Sequence, residues 1–188
     1  MIALVYGGSA CGKSAWAERL LTACSGAPKY YAACMEPFGE EAFERIRRHR
    51  AMRAGKGFET VEAQRNLSSL PLPSGCAVLL ECLGTLTANE LFSPGASPES
   101  ALVSLRDGLS FLARQAETLV VVGNDVFADG VSYDESTQTY LRVLAAVQRE
   151  LAEQVDLVAE IVCGLPVIHK GSPEQFGLSS TGKEITVR

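Results

Sequence analysis

Short, continuously apolar runs recur along the chain, and most are followed by a stretch with helical spacing. Residues 2–6 form the first run and stop at Gly7-Gly8, as a buried strand does on entering a turn. Residues 14–24 follow with helical spacing, and Tyr30-Tyr31-Ala32-Ala33 reads as a second short strand. Residues 40–53 read as a charged amphipathic helix with Ala42, Phe43 and Ile46 on its apolar side. Phe58-Glu59-Thr60-Val61 alternates, as a short edge strand does, whereas Ala77-Val78-Leu79-Leu80 is apolar throughout, as a strand covered on both faces. Residues 98–116 form a long helix with Ser97 as N-cap and Pro98 at the first helical position. Leu119-Val120-Val121-Val122 is another buried strand, residues 135–153 are helical, and residues 157–162 are the last clear strand.

This alternation of strand and helix predicts an α/β domain of three layers, with a mostly parallel central sheet and helices on both faces. Ligands of such sheets sit beyond the carboxyl ends of the strands. The pattern gives one domain over residues 1–170 and a Gly-, Ser- and Pro-containing tail over residues 171–188. A length of 188 residues with 47% hydrophobic and 21% charged residues suits a single globular core and excludes a disordered chain. The net charge of −5 argues against a nucleic-acid partner, which needs a basic face. No apolar run approaches the roughly 20 residues of a membrane span, and the first residues lack the marks of a signal peptide. The expected compartment is the cytoplasm. Six cysteines without a C-x-x-C, beside two histidines, predict mostly buried thiols rather than a metal site or a disulfide framework.

One segment changes the picture. Gly7-Gly8-Ser9-Ala10-Cys11-Gly12-Lys13-Ser14 matches G-x-x-x-x-G-K-[ST] between a strand and a helix. In that context glycines let backbone amides turn inward onto phosphate oxygens, and the helix adds its positive end. Lys13 supplies a charge to the β- and γ-phosphates, and the Ser14 hydroxyl is placed to ligate Mg²⁺. The motif predicts a phosphate-loop, nucleoside-triphosphate-binding domain.

A second segment concentrates positive charge. Arg45, Arg47, Arg48, Arg50, Arg53 and Lys56 surround His49, a cluster that suits a polyphosphate. A solvated helix face balanced by Glu40, Glu41 and Glu44 fits the same charges. His49 reads as an exposed histidine, a phosphate contact or a nucleophile. Surrounding arginines disfavour its imidazolium and so keep a lone pair available. Glu81 directly follows the apolar strand 77–80, where an acid holds Mg²⁺, accepts from a ribose or base, or serves structure. Asn124-Asp125 opens a polar loop after strand 119–122 that suits a substrate lip. The role of Glu62 is not readable from pattern.

Further motifs stand in one order along the chain. They include Gly57-Phe58-Glu59-Thr60-Val61-Glu62, Leu80-Glu81-Cys82-Leu83 with Asn89, Asn124-Asp125-Val126, Leu151-Ala152, Asp156 and Cys163-Gly164-Leu165-Pro166. With the phosphate loop, the strand Tyr30–Ala33 and the Arg45–Arg53 segment, they resemble the bifunctional adenosylcobinamide kinase / adenosylcobinamide-phosphate guanylyltransferase family of cobalamin (vitamin B12) biosynthesis. The resemblance implies phosphorylation of adenosylcobinamide with ATP or GTP. Transfer of GMP from GTP onto adenosylcobinamide phosphate then gives adenosylcobinamide-GDP. It makes His49 the guanylylated histidine and Lys13 a catalytic residue. Besides the loop residues Gly7, Gly8, Ser9, Ala10, Cys11, Gly12, Lys13 and Ser14, it implies nucleotide contacts at Ala33, Cys34, Arg50, Ala51, Met52, Arg53, Glu62 and Glu81. Ser14 and Glu81 are the expected Mg²⁺ ligands, and a homotrimer is the expected assembly. The chain departs from the family at Ala33-Cys34, where Thr-Ser is common, and around Leu141-Arg142, Ala145 and Gln148-Arg149. A phosphate-loop kinase of another small molecule, without guanylyl transfer, is the alternative enzyme, and a nucleotide-dependent binding protein is the alternative of another class.

Overall fold

The structure, a computed structural model, describes residues 1–24, 26–36, 39–40, 43–44, 47, 51, 54–127 and 130–179. Seven strands form one sheet: β1 (Ile2–Tyr6), β2 (Lys29–Ala33), β3 (Phe58–Glu62), β4 (Cys76–Glu81), β5 (Ala116–Val122), β6 (Leu157–Val162) and β7 (Leu165–Lys170). Their spatial order is β3-β2-β4-β5-β1-β6-β7. All pairs are parallel except β6 with β7.

The helices α1 (Lys13–Cys24), α2 (Leu83–Leu91), α3 (Pro98–Gln115) and α4 (Glu135–Gln154) cover the two faces. Alternate residues of each strand feed two cores. Leu4, Val78, Leu80, Leu119 and Val121 pack with α2, α3 and α4. Ala3, Val5, Leu79, Val120 and Val122 pack with Trp16, Leu20 and Leu21 of α1. Every residue of β4 is buried, which is why this strand shows no alternation in sequence. The expected capping of α3 is present: the Ser97 side chain accepts from the Ser100 amide and Ser100 returns the bond, with Pro98 in the first turn.

Three features depart from the sequence reading. Helix α2 was not foreseen, because Gly84, Thr85 and Thr87 are weak helix formers and its apolar residues do not confine themselves to one stripe. β7 follows the strand expected to be last. Cys163 and Gly164 both take positive φ, 50° and 82°, and turn the chain in a tight hairpin. Pro166 is tolerated because β7 is an edge strand. Phe43, expected on a buried side, is 57% exposed. Residues 39, 40, 43, 44, 47 and 51 are helical, and each is exposed. Ala42 and Ile46 lie outside the described residues.

The cysteines are less uniform than expected. Cys34 and Cys76 are buried, Cys11, Cys24 and Cys82 are half-buried, and Cys163 is exposed. No described helix is long and apolar enough to cross a membrane.

Beyond β7 the chain folds back onto α1. Pro173–Phe176 forms a single 3-10 turn, and Phe176 and Leu178 are fully buried against Trp16, Leu20 and Leu21. Truncating Phe176 to alanine should therefore cost about 3–5 kcal/mol. Urea unfolding with an unchanged slope and a lower midpoint is the expected readout.

Candidate functional site

The phosphate loop leaves β1 at Tyr6 and enters α1 at Lys13. Its carbonyls are engaged from several directions. The Asp125 amide donates to Gly7 O (3.0 Å), Gly164 N to Cys11 O (2.9 Å) and Trp16 N to Gly12 O (3.1 Å). Lys13 Nζ donates to Gly8 O at 2.9 Å, so the ammonium lies folded over the loop. These bonds fix the loop backbone, and a glycine-rich turn fixed at a helix N-terminus suits an anion cradle.

Local sequence explains the shape. Gly7 has φ +152°, and a Cβ there would come within 2.6 Å of Ile161 O and 2.8 Å of Cys11 Sγ. Ala10 takes the left-handed conformation at φ 55°, at a cost of about 1 kcal/mol.

Register brings further residues to the same end of the sheet. Ala33 stands opposite Glu62 on one side and Glu81 on the other. Glu81 is in turn opposite Val122, and Val122 opposite Val5. The row Glu62–Ala33–Glu81 faces the α1 side, since Ala33, Val122 and Val5 belong to or border that core. There the Ser14 hydroxyl donates to Glu81 Oε1. The second residue of α1 and the acid ending β4 thus meet below the loop. A hydroxyl and a carboxylate are hard oxygen donors of the kind Mg²⁺ takes alongside phosphate oxygens and water. Among the described residues there is no group of three or more His, Cys, Asp or Glu placed to hold a metal.

Cys34 has a different environment from Ala33. Its thiol is buried in the opposite core, and that burial pushes it well above the usual thiol range, with Cys82 and Glu81 adding to the effect. Its amide donates to Glu81 O at 3.0 Å, and its carbonyl accepts from Asn89. Asn89, on α2, uses one Nδ2 for two acceptors, Cys34 O at 2.8 Å and Gln64 O at 2.9 Å. It thereby pins the chain just past the ends of β2 and β3. Nothing in the local sequence marks this job, since both acceptors are main-chain atoms distant in sequence.

Asn124 also has a structural duty. Its Oδ1 accepts from Gly84 N at 3.2 Å, serving the first turn of α2, where Cys82 makes no side-chain cap. A Cβ at Gly84 would collide with this amide. Gln148 of α4 holds the Asn124 main chain from both sides, accepting from its N–H (3.2 Å) and donating to its carbonyl (3.1 Å). Beyond this clamp, Val126 and Phe127 are exposed at the rim beside the phosphate loop. Tyr6 lies on the sheet face away from α1, and its hydroxyl is shifted upward by burial first, then by Glu160 and Asp125. Its ring stacks on His169 at 6.0 Å, and His169 Nε2 is 2.9 Å from Glu160 Oε2.

The basic segment is only partly within view. Arg45, Arg48, His49, Arg50, Met52 and Arg53 lie outside the described residues. Ala51 is helical and exposed. Arg47 lies 3.6 Å from Glu44 on the surface, in keeping with the solvated-face reading for that one arginine. The structure thus brings together Gly7–Ser14, Ala33, Glu62 and Glu81. Replacing Asn89 with alanine would strip a donor from two carbonyls, with an expected loss of about 2 kcal/mol of stability. Hydrogen exchange should locate the loosening at residues 34–36 and 63–66 rather than throughout the sheet.

Comparison with known proteins identifies the family of the chain. Residues 3–168 match the family model described as "Cobinamide kinase / cobinamide phosphate guanyltransferase". The chain is 30% identical over 182 residues to the "Bifunctional adenosylcobalamin biosynthesis protein CobU" of Salmonella typhimurium, covering 89% of this chain and 98% of that protein. It is 28% identical over 173 residues to the "Bifunctional adenosylcobalamin biosynthesis protein CobP" of Pseudomonas aeruginosa, covering 90% and 98%. A solved ATPase from the type III secretion system of pathogenic bacteria superposes with a TM-score of 0.48 and 12% identity, over 85% of this chain and 50% of that one, too loosely to add to the assignment. With the family model spanning the sheet from β1 to β7 and the phosphate loop at its head, the chain belongs to the cobinamide kinase / cobinamide phosphate guanyltransferase family.

Proposed function

We propose that this chain carries out both reactions of its family on adenosylcobinamide, and that one nucleotide cradle, Gly7–Ser14 with the Glu62–Ala33–Glu81 row, serves them. The observation that carries this reading is the meeting of Ser14 with Glu81 below a phosphate loop whose carbonyls are held by hydrogen bonds.

In the first reaction the aminopropanol hydroxyl of adenosylcobinamide attacks the γ-phosphorus of ATP or GTP. The P–O bond to the β-phosphate breaks to release ADP or GDP, and the hydroxyl proton passes to solvent. Inward amides and the Lys13 ammonium stabilise charge on the transferring oxygens and on the departing diphosphate. Lys13 exchanges its Gly8 carbonyl for phosphate oxygen. Mg²⁺, held by Ser14 and Glu81 with phosphate oxygens, would neutralise charge on the β- and γ-phosphates.

In the second reaction an imidazole nitrogen of His49 attacks the α-phosphorus of GTP. The P–O bond to the β-phosphate breaks, pyrophosphate leaves, and a histidine–GMP phosphoramidate remains. The phosphate of adenosylcobinamide phosphate then attacks the same phosphorus, releases the histidine and yields adenosylcobinamide-GDP. The arginines around His49 keep the imidazole neutral for attack and then balance the phosphates. Arg50–Arg53 are the proposed contacts on the nucleotide from that segment, and the exposed Val126 and Phe127 the apolar rim for the corrinoid. A homotrimer is the proposed assembly, as the resemblance implies.

Labelled GTP tests both halves. Wild-type protein incubated with Mg²⁺ and α-labelled GTP should retain label after denaturation, in a bond lost in acid and stable in alkali. His49→Ala should retain none and still phosphorylate adenosylcobinamide. Lys13→Ala should lower phosphorylation by about 10²-fold or more. Absence of an adduct in wild type, or an equal adduct in His49→Ala, contradicts the guanylyl-transfer step.

A further inference from the structure

Glu18 is a carboxylate in the wrong place for ordinary stability. It sits in the middle of α1 and is 2% exposed, among Trp16, Ala17, Leu20 and Leu21. Four residues after Ser14, it lies one turn along the same helix face. Its carboxylate receives Lys56 Nζ at 2.6 Å. A buried charge is costly to desolvate, and a pair of this kind contributes more to geometry than to net stability.

Lys56 stands at the end of the connection from β2 to β3, with Gly57 between it and the strand. The two strands are parallel, so the chain after Ala33 must return to the opposite end of the sheet before Phe58. Contact with α1 places the end of this crossover on the α1 side, as right-handed connection requires. His49 stands seven residues before Lys56 in the same crossover. Among the described residues from 39 to 57, every side chain is exposed, and the ion pair of Lys56 is the one that reaches α1. The other, Arg47 with Glu44, stays within the segment.

We propose that Glu18 and Lys56 are positioning residues for guanylyl transfer: their ion pair ties the crossover that carries His49 to the helix that carries Lys13 and Ser14. This rests on the functional reading above. Without the tie, α1 and the phosphate loop remain in place, so phosphorylation continues. The registration of His49 on the α-phosphorus is what suffers.

The test uses Lys56→Gln and the double variant Glu18→Gln/Lys56→Gln, which leaves no unpaired charge on α1, with Lys56→Arg as the conservative control. The double variant should form the histidine adduct about tenfold or more slowly in single turnover, while phosphorylating adenosylcobinamide at near wild-type rate. Lys56→Gln alone, which leaves Glu18 buried without its cation, should show the same slow adduct and a lower melting temperature. Hydrogen exchange over residues 39–57 of nucleotide-free protein should rise without change in residues 13–24. Lys56→Arg should restore both readouts. In the double variant, adduct formation at wild-type rate, or both activities falling together with the melting temperature, overturns the proposal. If wild-type protein forms no adduct at all, the functional reading fails by itself. The exchange comparison then decides the anchor: faster exchange confined to residues 39–57 upholds the tie, and unchanged exchange overturns it.

Discussion

The phosphate loop holds its shape because neighbours far away in sequence occupy its carbonyl oxygens. Asp125, after β5, takes Gly7 O, and Gly164, in the β6–β7 turn, takes Cys11 O. Both donors belong to strands that flank β1 or to the turns that follow them. A loop tied on both sides can carry Ala10 in a left-handed conformation. The central sheet is therefore part of the binding apparatus. Loss of the hairpin turn or of the β5 loop would relax the cradle without touching a residue of the motif.

The same end of the sheet carries the acids. Register across β3, β2 and β4 aligns Glu62, Ala33 and Glu81, and β4 is buried along its whole length. Full burial fixes β4 firmly, so its last residue meets α1 at a defined point. That point is Ser14. Asn89 and Gln148 secure the surrounding loops through main-chain atoms.

Much of this was legible in the residues, for stated reasons. β1, β4, β5 and β6 show as apolar runs because parallel strands are covered on both faces. The phosphate loop shows because its chemistry demands glycines and a lysine at fixed spacing. Ser14 and Glu81 could each be named from their places after strands, although only the fold reveals that they touch. Helix α2 was hidden by Gly84 and its threonines, and β7 by Pro166 and by a turn whose Cys163 gives no local signal. Phe43 misled because an apolar residue at helical spacing reads as buried whether or not a partner covers it. The contacts of Asn89 and Gln148 and the Glu18–Lys56 pairing were beyond reach, since each acts across long sequence separations. The proposal of His49 as nucleophile rests on resemblance, where charge pattern alone left three readings, and His49 lies outside the described residues.

The central claim is that Ser14 and Glu81 complete a triphosphate site of the phosphate loop. Titration calorimetry of a non-hydrolysable GTP analogue, with and without Mg²⁺, tests it most directly. The account predicts that Mg²⁺ tightens binding to wild-type protein by about tenfold or more, and that Glu81→Gln loses most of that gain while its Mg²⁺-free affinity is little changed. Equal Mg²⁺ dependence in wild type and Glu81→Gln would contradict it.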